Sequence, residues 1–287
     1  MVTISVVIPF YNAERYMAAC LGALQDQRYP RDRYEIIAVN NNSRDASLDI
    51  SRRFNHVVRI LHEPKQGAYA ARNTGICAAS GKVIAFTDPD CRPSGDWLAS
   101  IDRAFRDSST RLVLGCNRPA SGSLPMSLIT EYEHEKSVYI YNSDKKDIYF
   151  GHTNNMAVLG SLFGELGLFE ERDRGSDTIF VNRCVERYGC AALRYEPGMR
   201  VQHLELVSLG KVLKKYFIYG GSRYLYSRAA PVRSLCNEER FFVWQRMMKR
   251  TRLPARQAVL LFILLATGWI YWTVGEMASR LRAVQSS

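Results

Sequence analysis

Gly81-Lys-Val-Ile-Ala-Phe-Thr-Asp88-Pro-Asp90-Cys-Arg-Pro93 is an apolar run that stops abruptly at two carboxylates. Residues 83–86 have the length and composition of a buried strand. Pro89 and Pro93 prevent that strand, or a helix, from continuing. Two like charges one residue apart at the end of a buried strand repel each other unless a cation lies between them. Hard divalent cations such as Mg²⁺ or Mn²⁺ take oxygen ligands and also bind phosphate oxygens. The stretch therefore reads as a place for a metal-bound diphosphate, or alternatively as a polar turn that closes a strand.

Outward from this point, strands and helices alternate. Residues 4–8 predict a strand, and Asn12 is positioned to cap a helix to about residue 27 with Met17, Leu21 and Leu24 on one face. Strands follow at 35–39 and 57–61, a helix from Ser43 or Asp45 to 54, and another over 68–79. Beyond the opening stretch come a helix over 97–105 and a strand over 112–115. Short connections between alternating elements predict an α/β fold with a mostly parallel sheet covered on both faces. Ligands bind such sheets at the carboxyl ends of the strands. Pro9-Phe-Tyr-Asn12, Asn40-Asn-Asn-Ser43 and Asp88-Pro-Asp90 all fall at those ends. Residues 117–150 change character: Gly122, Ser123 and Pro125 open what reads as a mobile or acceptor-facing loop. Gly175-Ser-Asp177 then precedes a helix over 178–188.

Composition narrows the class. The 287 residues are 47% hydrophobic and 23% charged, enough for one large domain and an appendage. Seven cysteines without a Cys-x-x-Cys pair suggest neither a disulfide framework nor a zinc site, and fit a reduced environment. The apolar N-terminal run has no basic segment before it and meets Pro9, so it reads as a strand and not as a signal peptide. The net charge of +11 is concentrated: residues 211–256 hold twelve Lys/Arg against Glu238 and Glu239, a local balance of +10. Residues 257–275 then carry no charge, and Trp269, Tyr271 and Trp272 lie toward one end. About 19 residues at about 1.5 Å each roughly cross a hydrocarbon core. The segment reads as a membrane-spanning or inserted helix, or alternatively as a buried core helix. A basic patch before it reads as a surface facing anionic lipid on the cytoplasmic side, which argues against nucleic acid as the partner.

The motifs together resemble family 2 glycosyltransferases, whose fold is the A-type nucleotide-diphospho-sugar transferase fold with a Rossmann-like sheet. The matching pieces are Val6-Val-Ile-Pro-Phe-Tyr-Asn12, Glu35-Ile-Ile-Ala-Val-Asn-Asn-Asn-Ser43-Arg-Asp45, Gly67-Ala-Tyr-Ala-Ala-Arg72-Asn73-Thr-Gly75 and Thr87-Asp-Pro-Asp90. They continue with Asn154-Asn-Met-Ala157, Gly167-Leu-Phe-Glu170, Gly175-Ser-Asp177 and Pro197-Gly-Met-Arg-Val-Gln-His203, so the resemblance covers residues 3–225.

That resemblance implies a nucleotide-sugar-binding half over 1–116 and an acceptor-binding, base-bearing half over 117–205. A basic membrane-facing helical region over 206–256, a membrane helix over 257–275 and a tail over 276–287 would follow. Pro9, Tyr11 and Glu14 would line the nucleoside pocket, with Glu14 near the ribose. Asn41 stands where the family commonly has an Asp that accepts the uracil imide proton, which leaves the base open between UDP- and GDP-sugars. Arg72 would meet the diphosphate. Asp88 would contact sugar or ribose and the metal, Asp90 the metal, and His203 would be a third metal ligand or diphosphate contact, or alternatively a loop histidine. Asp177 matches the general base of an inverting transfer, with Ser176 where the family usually has an acid. The cofactor implied is a divalent cation, Mn²⁺ or Mg²⁺. The Gln-x-x-Arg-Trp element of processive members is missing, since Gln245-Arg-Met-Met-Lys249 has no Trp. The expected activity is single sugar addition to a saccharide or lipid-linked acceptor in cell-surface glycan synthesis, at the cytoplasmic face of the bacterial inner membrane. A polyprenyl-phosphate glycosyltransferase is the alternative. A nucleotidyltransferase and a non-catalytic membrane adaptor are weaker ones.

Overall fold

All seven residues of β1 (Ile4–Phe10) are buried, as a central strand covered on both faces requires. The computed structural model describes residues 3–120, 122–227 and 229–285. After β1 come α1 (Glu14–Gln25), β2 (Tyr34–Asn40), α2 (Ser47–Arg52), β3 (Val58–His62), α3 (Ala68–Ala78) and β4 (Val83–Thr87). Next are β5 (Cys91–Pro93), α4 (Trp97–Ala104), β6 (Leu112–Pro119), α5 (Leu124–Tyr141), β7 (Asn155–Leu159) and α6 (Ser161–Leu166). The chain closes with α7 (Ser176–Tyr188), β8 (Leu193–His203), α8 (Leu209–Tyr226), α9 (Asn237–Thr251) and α10 (Ala255–Gln285).

The eight strands lie in the order β3-β2-β1-β4-β7-β6-β8-β5. The first four run parallel, as the alternating pattern predicts. From β7 onward the pairing turns antiparallel, β7 to β4 and to β6, and β5 to β8. The predicted face of α1 is the buried one: Met17, Leu21 and Leu24 pack with Val6, Ile8, Ile36 and Trp97. On the opposite face Ala71 of α3 meets Ile37 and Val39. Asn155 at the start of β7 is fully buried and has its bonds met: it accepts from Trp97 Nε1 (2.8 Å) and donates to the Met199 and Cys116 carbonyls. This anchors the switch from parallel to antiparallel strands.

Two compact units emerge, residues 1–118 with 150–204, and residues 119–149 with 205–287. The expected loop after residue 117 is instead largely the 18-residue helix α5. Pro125 sits in its first turn, where a missing N–H costs nothing.

Within the second unit, α5 is held to α9 by Glu135, only 4% exposed, which accepts from Arg250 (2.5 Å) and pairs with Arg246. Glu239 of α9 accepts from Arg233, Lys145 and the Cys236 amide, and the Arg233 guanidinium holds its carboxyl far below the usual range. α8 and α10 touch backbone to backbone. A Cβ on Gly220 would lie 1.8 Å from the Trp272 carbonyl, and one on Gly275 1.9 Å from the Phe217 carbonyl. Small residues permitting such close approach are characteristic of helix pairs in membranes. Residues 255–282 of α10 are long and apolar enough to cross a bilayer, with mean hydropathy 1.9 and 22% of the most apolar window buried. The helix continues past the expected end at 275 because Glu276 is paired with Arg280 (2.6 Å) and Arg223 (3.5 Å).

Candidate active site

The ends of β1 and β2 are laced together by side chains. Asn12, expected as a helix cap, instead adopts φ 48° and accepts from the Arg44 amide (2.9 Å), so α1 begins without a side-chain cap. Its own amide donates to Ser43 Oγ (3.1 Å). Glu14 and Asp45 form a reciprocal bracket: Glu14 accepts from the Ala46 amide (3.0 Å) and its amide donates to Asp45 (3.1 Å). Pro9 is buried in β1, whereas Tyr11 is half exposed at the loop.

Asn41 has another job than the expected one. It is 2% exposed. Its amide nitrogen donates to the Glu63 carbonyl (2.9 Å) and the Lys65 carbonyl (2.8 Å), while its oxygen accepts from the Gly67 amide (2.8 Å) and from Gln66. A side-chain amide offers two donors and two lone pairs, so these contacts use its whole capacity. The side chain shapes the loop 63–67 and has no bond left for a nucleobase. An aspartate here would face two carbonyls without a proton to offer, which accounts for the Asn.

Arg72, three residues after Tyr69 on α3, is 5% exposed. Its Nη2 donates to Asp88 Oδ1 at 2.6 Å, and its guanidinium lies 5.3 Å from the Tyr69 ring centroid. Its Nε has no protein partner and is buried. A buried, unmatched guanidinium N–H is costly and marks a place for an oxyanion. The neighbouring Asn73 exchanges two hydrogen bonds with the Phe169 backbone (2.9 and 3.1 Å), tying α3 to the Gly167–Glu170 motif.

Asp90, Cys91 and His203 offer ligand atoms within 4.8 Å of one another. His203 Nδ1 lies 3.4 Å from Asp90 Oδ2, and β5–β8 register sets Cys91 opposite His203. Burial, then the charges of Asp88 and Asp90, push the Cys91 thiol well above its ordinary range. Carboxylate plus imidazole suits Mn²⁺ better than Mg²⁺. Asp88, expected in this set, is turned to Arg72 and is not part of the cluster among the described residues.

Asp177 opens α7. Gly175 before it has φ 85°, and a Cβ on Gly151 would lie 2.5 Å from the Asp177 carbonyl, so both glycines are required for the turn to close. The Asp177 carboxylate accepts from the Thr178 amide (2.9 Å) and the Thr153 amide (3.3 Å), and its own amide donates to the Tyr69 hydroxyl (3.4 Å). Burial raises its pKa, opposed by the Thr178 amide, the Arg72 charge and the Tyr69 hydroxyl. A carboxylate in that condition has an increased appetite for a proton. Ser176, where the family usually has an acid, is 1% exposed with its hydroxyl unmatched. A second carboxylate there would be buried beside Asp177.

Tyr69, Cys91 and Thr153 were not singled out from sequence. Tyr69 was legible in principle, being one helical turn before Arg72 on the same face. Cys91 directly follows the Asp-Pro-Asp turn. Thr153 contributes a backbone amide, which leaves no side-chain signature.

Residues 5–167, more than half of the chain, match the profile of Glycosyl transferase family 2. The chain belongs to this family. Among curated relatives, glycosyltransferase AglE of Haloferax volcanii is 41% identical over 99 residues, 33% of each chain. The putative glycosyltransferase EpsH of Bacillus subtilis is 38% identical over 120 residues, 41% of this chain and 34% of that one. These matches thus span about a third of the relatives' length. Among solved structures, the fold is similar to that of mannosyltransferase PcManGT from Pyrobaculum calidifontis in complex with GDP-Man and Mn²⁺. The TM-score is 0.68 at 17% identity, covering 96% of this chain and 86% of that one. Glucosyl-3-phosphoglycerate synthase of Mycobacterium tuberculosis, with Mn²⁺, UDP and glucosyl-3-phosphoglycerate, gives TM-score 0.57 at 15% identity over 81% of each chain.

Proposed function

We propose that the protein transfers one sugar, with inversion, from a nucleotide-diphospho-sugar to a hydroxyl of a lipid-linked saccharide at the cytoplasmic face of a membrane. The observation that carries this reading is Asp177, a carboxylate of raised pKa, coupled through Tyr69 to the buried, incompletely matched Arg72. In this reading Arg72 holds the donor diphosphate, and Asp177 takes the proton of the acceptor hydroxyl as that oxygen attacks the anomeric carbon from the side opposite the leaving group. Asp90 and His203 would hold a divalent cation, which when bound would offset negative charge on the diphosphate. Tyr11 offers an exposed ring for a nucleobase to lie on, and with Asn41 committed to its own loop the donor is a UDP- or GDP-sugar selected by other contacts. The exposed apolar surface of α10 and the basic segment before it support the membrane setting and a lipid-linked acceptor.

The test is the stereochemistry of the product. The full chain is offered α-configured UDP- and GDP-sugars with Mn²⁺ and a membrane lipid extract, and the anomeric coupling of the product is read by NMR. A β-linkage is expected. An α-linkage would overturn the assignment of Asp177 as the single base.

A further inference from the structure

The β5–β8 ribbon carries a second set of groups that sugar transfer does not use. Cys91 pairs with His203 and Arg92 with Gln202 across the register. Side chains alternate along a strand. Cys91 and His203 therefore turn inward to Asp90, while Arg92 and Gln202 turn to the opposite face, which Arg200, two residues before Gln202, shares. Arg118 comes from β6, the strand beside β8. These four side chains line a cavity of about 310 Å³ that has no carboxylate in its wall. Asp96, whose field reaches Arg200, is clamped by the Arg28 nitrogens at 2.5 and 2.7 Å and so is largely neutralised. Among the described residues the guanidiniums of Arg92 and Arg200 make no hydrogen bond or ion pair, although the Arg200 carbonyl accepts from the Ser94 amide.

The Arg92 and Arg200 guanidiniums, side by side at a cavity with no carboxylate among its described wall residues, repel each other, and an oxyanion between them reverses the sign of that energy. The planar fork of Arg matches phosphate in a bidentate way, and Gln202 adds a neutral donor. We propose that Arg92, Arg118, Arg200 and Gln202 form a phosphate-binding site on the face of the ribbon opposite Asp90 and His203. A second cavity of about 460 Å³ shares Arg92 and continues along Ala18, Gly22 and Asp26 of the α1 segment. Apart from Arg92 and Asp26 its wall is uncharged, and the Ala18–Ala23 stretch suits the neutral part of a phosphate ester. Asp26 disfavours a polyanion such as nucleic acid, so the ligand is a single phosphate or pyrophosphate group on an otherwise uncharged molecule, soluble or lipid-borne.

The site is independent of the transferase reading and is tested apart from it. Calorimetric titration of the full chain in detergent with sodium pyrophosphate, without metal and at low salt, should show two events. Arg72→Gln should remove the one in the donor crevice. Arg92→Gln with Arg200→Gln should weaken the other by about a hundredfold, roughly tenfold per guanidinium, and leave the unfolding midpoint unchanged because both side chains are exposed. The Lys pair, Arg92→Lys with Arg200→Lys, should fall between, since charge is kept and the bidentate fork is lost. Titration of the detergent-held chain with short-chain phosphatidylglycerol, beside short-chain phosphatidylcholine as the control, separates the sources without relying on retention by α10. Loss of phosphatidylglycerol binding in the Gln pair assigns the phosphate to a lipid; loss of pyrophosphate binding alone assigns it to a soluble ester. Pyrophosphate and phosphatidylglycerol binding both undiminished in the Gln pair would overturn the site.

Discussion

The two units handle apolar surface and charge in opposite ways. Among the described residues the first unit leaves two large apolar side chains well exposed, Tyr11 and Leu168, whereas the second leaves fifteen, nine of them on α10. With charge the contrast reverses. The second unit rings its buried Glu135 and Glu239 with cations. The first keeps a carboxylate of raised pKa, Asp177, near the buried Arg72 with its unmatched Nε; the second also holds an unmatched guanidinium nitrogen, Arg223 Nε, but on a side chain paired with Glu276. Unfavourable electrostatics are retained where a substrate can relieve them, and unfavourable apolar exposure where lipid can. The lesson is that each unit's unsatisfied chemistry points to its partner.

The contrast can be broken first at the metal cluster. Asp90→Asn removes the only carboxylate among the three grouped ligands. Turnover should fall by about 10³-fold or more, with Mn²⁺-dependent donor binding lost and the melting curve unchanged. Wild-type turnover persisting in excess chelator would sink this assignment.

The second unit offers a smaller effect. The full chain should stay on anionic vesicles at high salt, because the apolar helix does not respond to screening. Ile263→Asp with Ile270→Asp, both exposed on α10, should convert it to a salt-extractable protein, since each carboxylate costs about 2.5–3.5 kcal/mol at a membrane helix centre. Release of the unaltered chain by salt alone would make α10 a helix that is not inserted.

Smallest is Tyr69→Phe. It removes a hydroxyl that favours ionised Asp177. Activity requires the ionised base, so it is lost as pH falls through the Asp177 pKa, and without Tyr69 that limb should move to higher pH by up to about one unit. An unchanged limb would show Tyr69 to be packing alone.

The parallel half of the sheet was legible because its signal is local. Apolar runs at 4–8, 35–39 and 83–86 need only their own composition to be read as buried strands, and Met17, Leu21 and Leu24 mark one face of α1 by spacing alone. What could not be read depends on distant partners. Gly122 and Pro125 look like helix breakers until Pro125 is seen in the first turn of α5. Asn12 has capping chemistry, but Arg44 and Ser43 claim it. Asn41 stands where the family resemblance implies base recognition, yet the loop 63–67, more than twenty residues on, takes its bonds. Asp88 and Asp90 are two residues apart in sequence and part company because Arg72 draws one and His203 faces the other. The extension of α10 beyond 275 rests on Glu276 finding Arg223 and Arg280.

Asp177→Asn tests the central claim most directly. Asparagine keeps the size and both amide contacts' acceptor but cannot take a proton. Because burial raises the native pKa of Asp177, its ionised form costs stability at neutral pH, and the variant should be at least as stable as the natural chain. Measured side by side at pH 7, donor affinity should be unchanged and transfer should fall by about 10²- to 10⁴-fold. Transfer surviving at the natural rate, or donor binding lost together with it, would contradict Asp177 as the base.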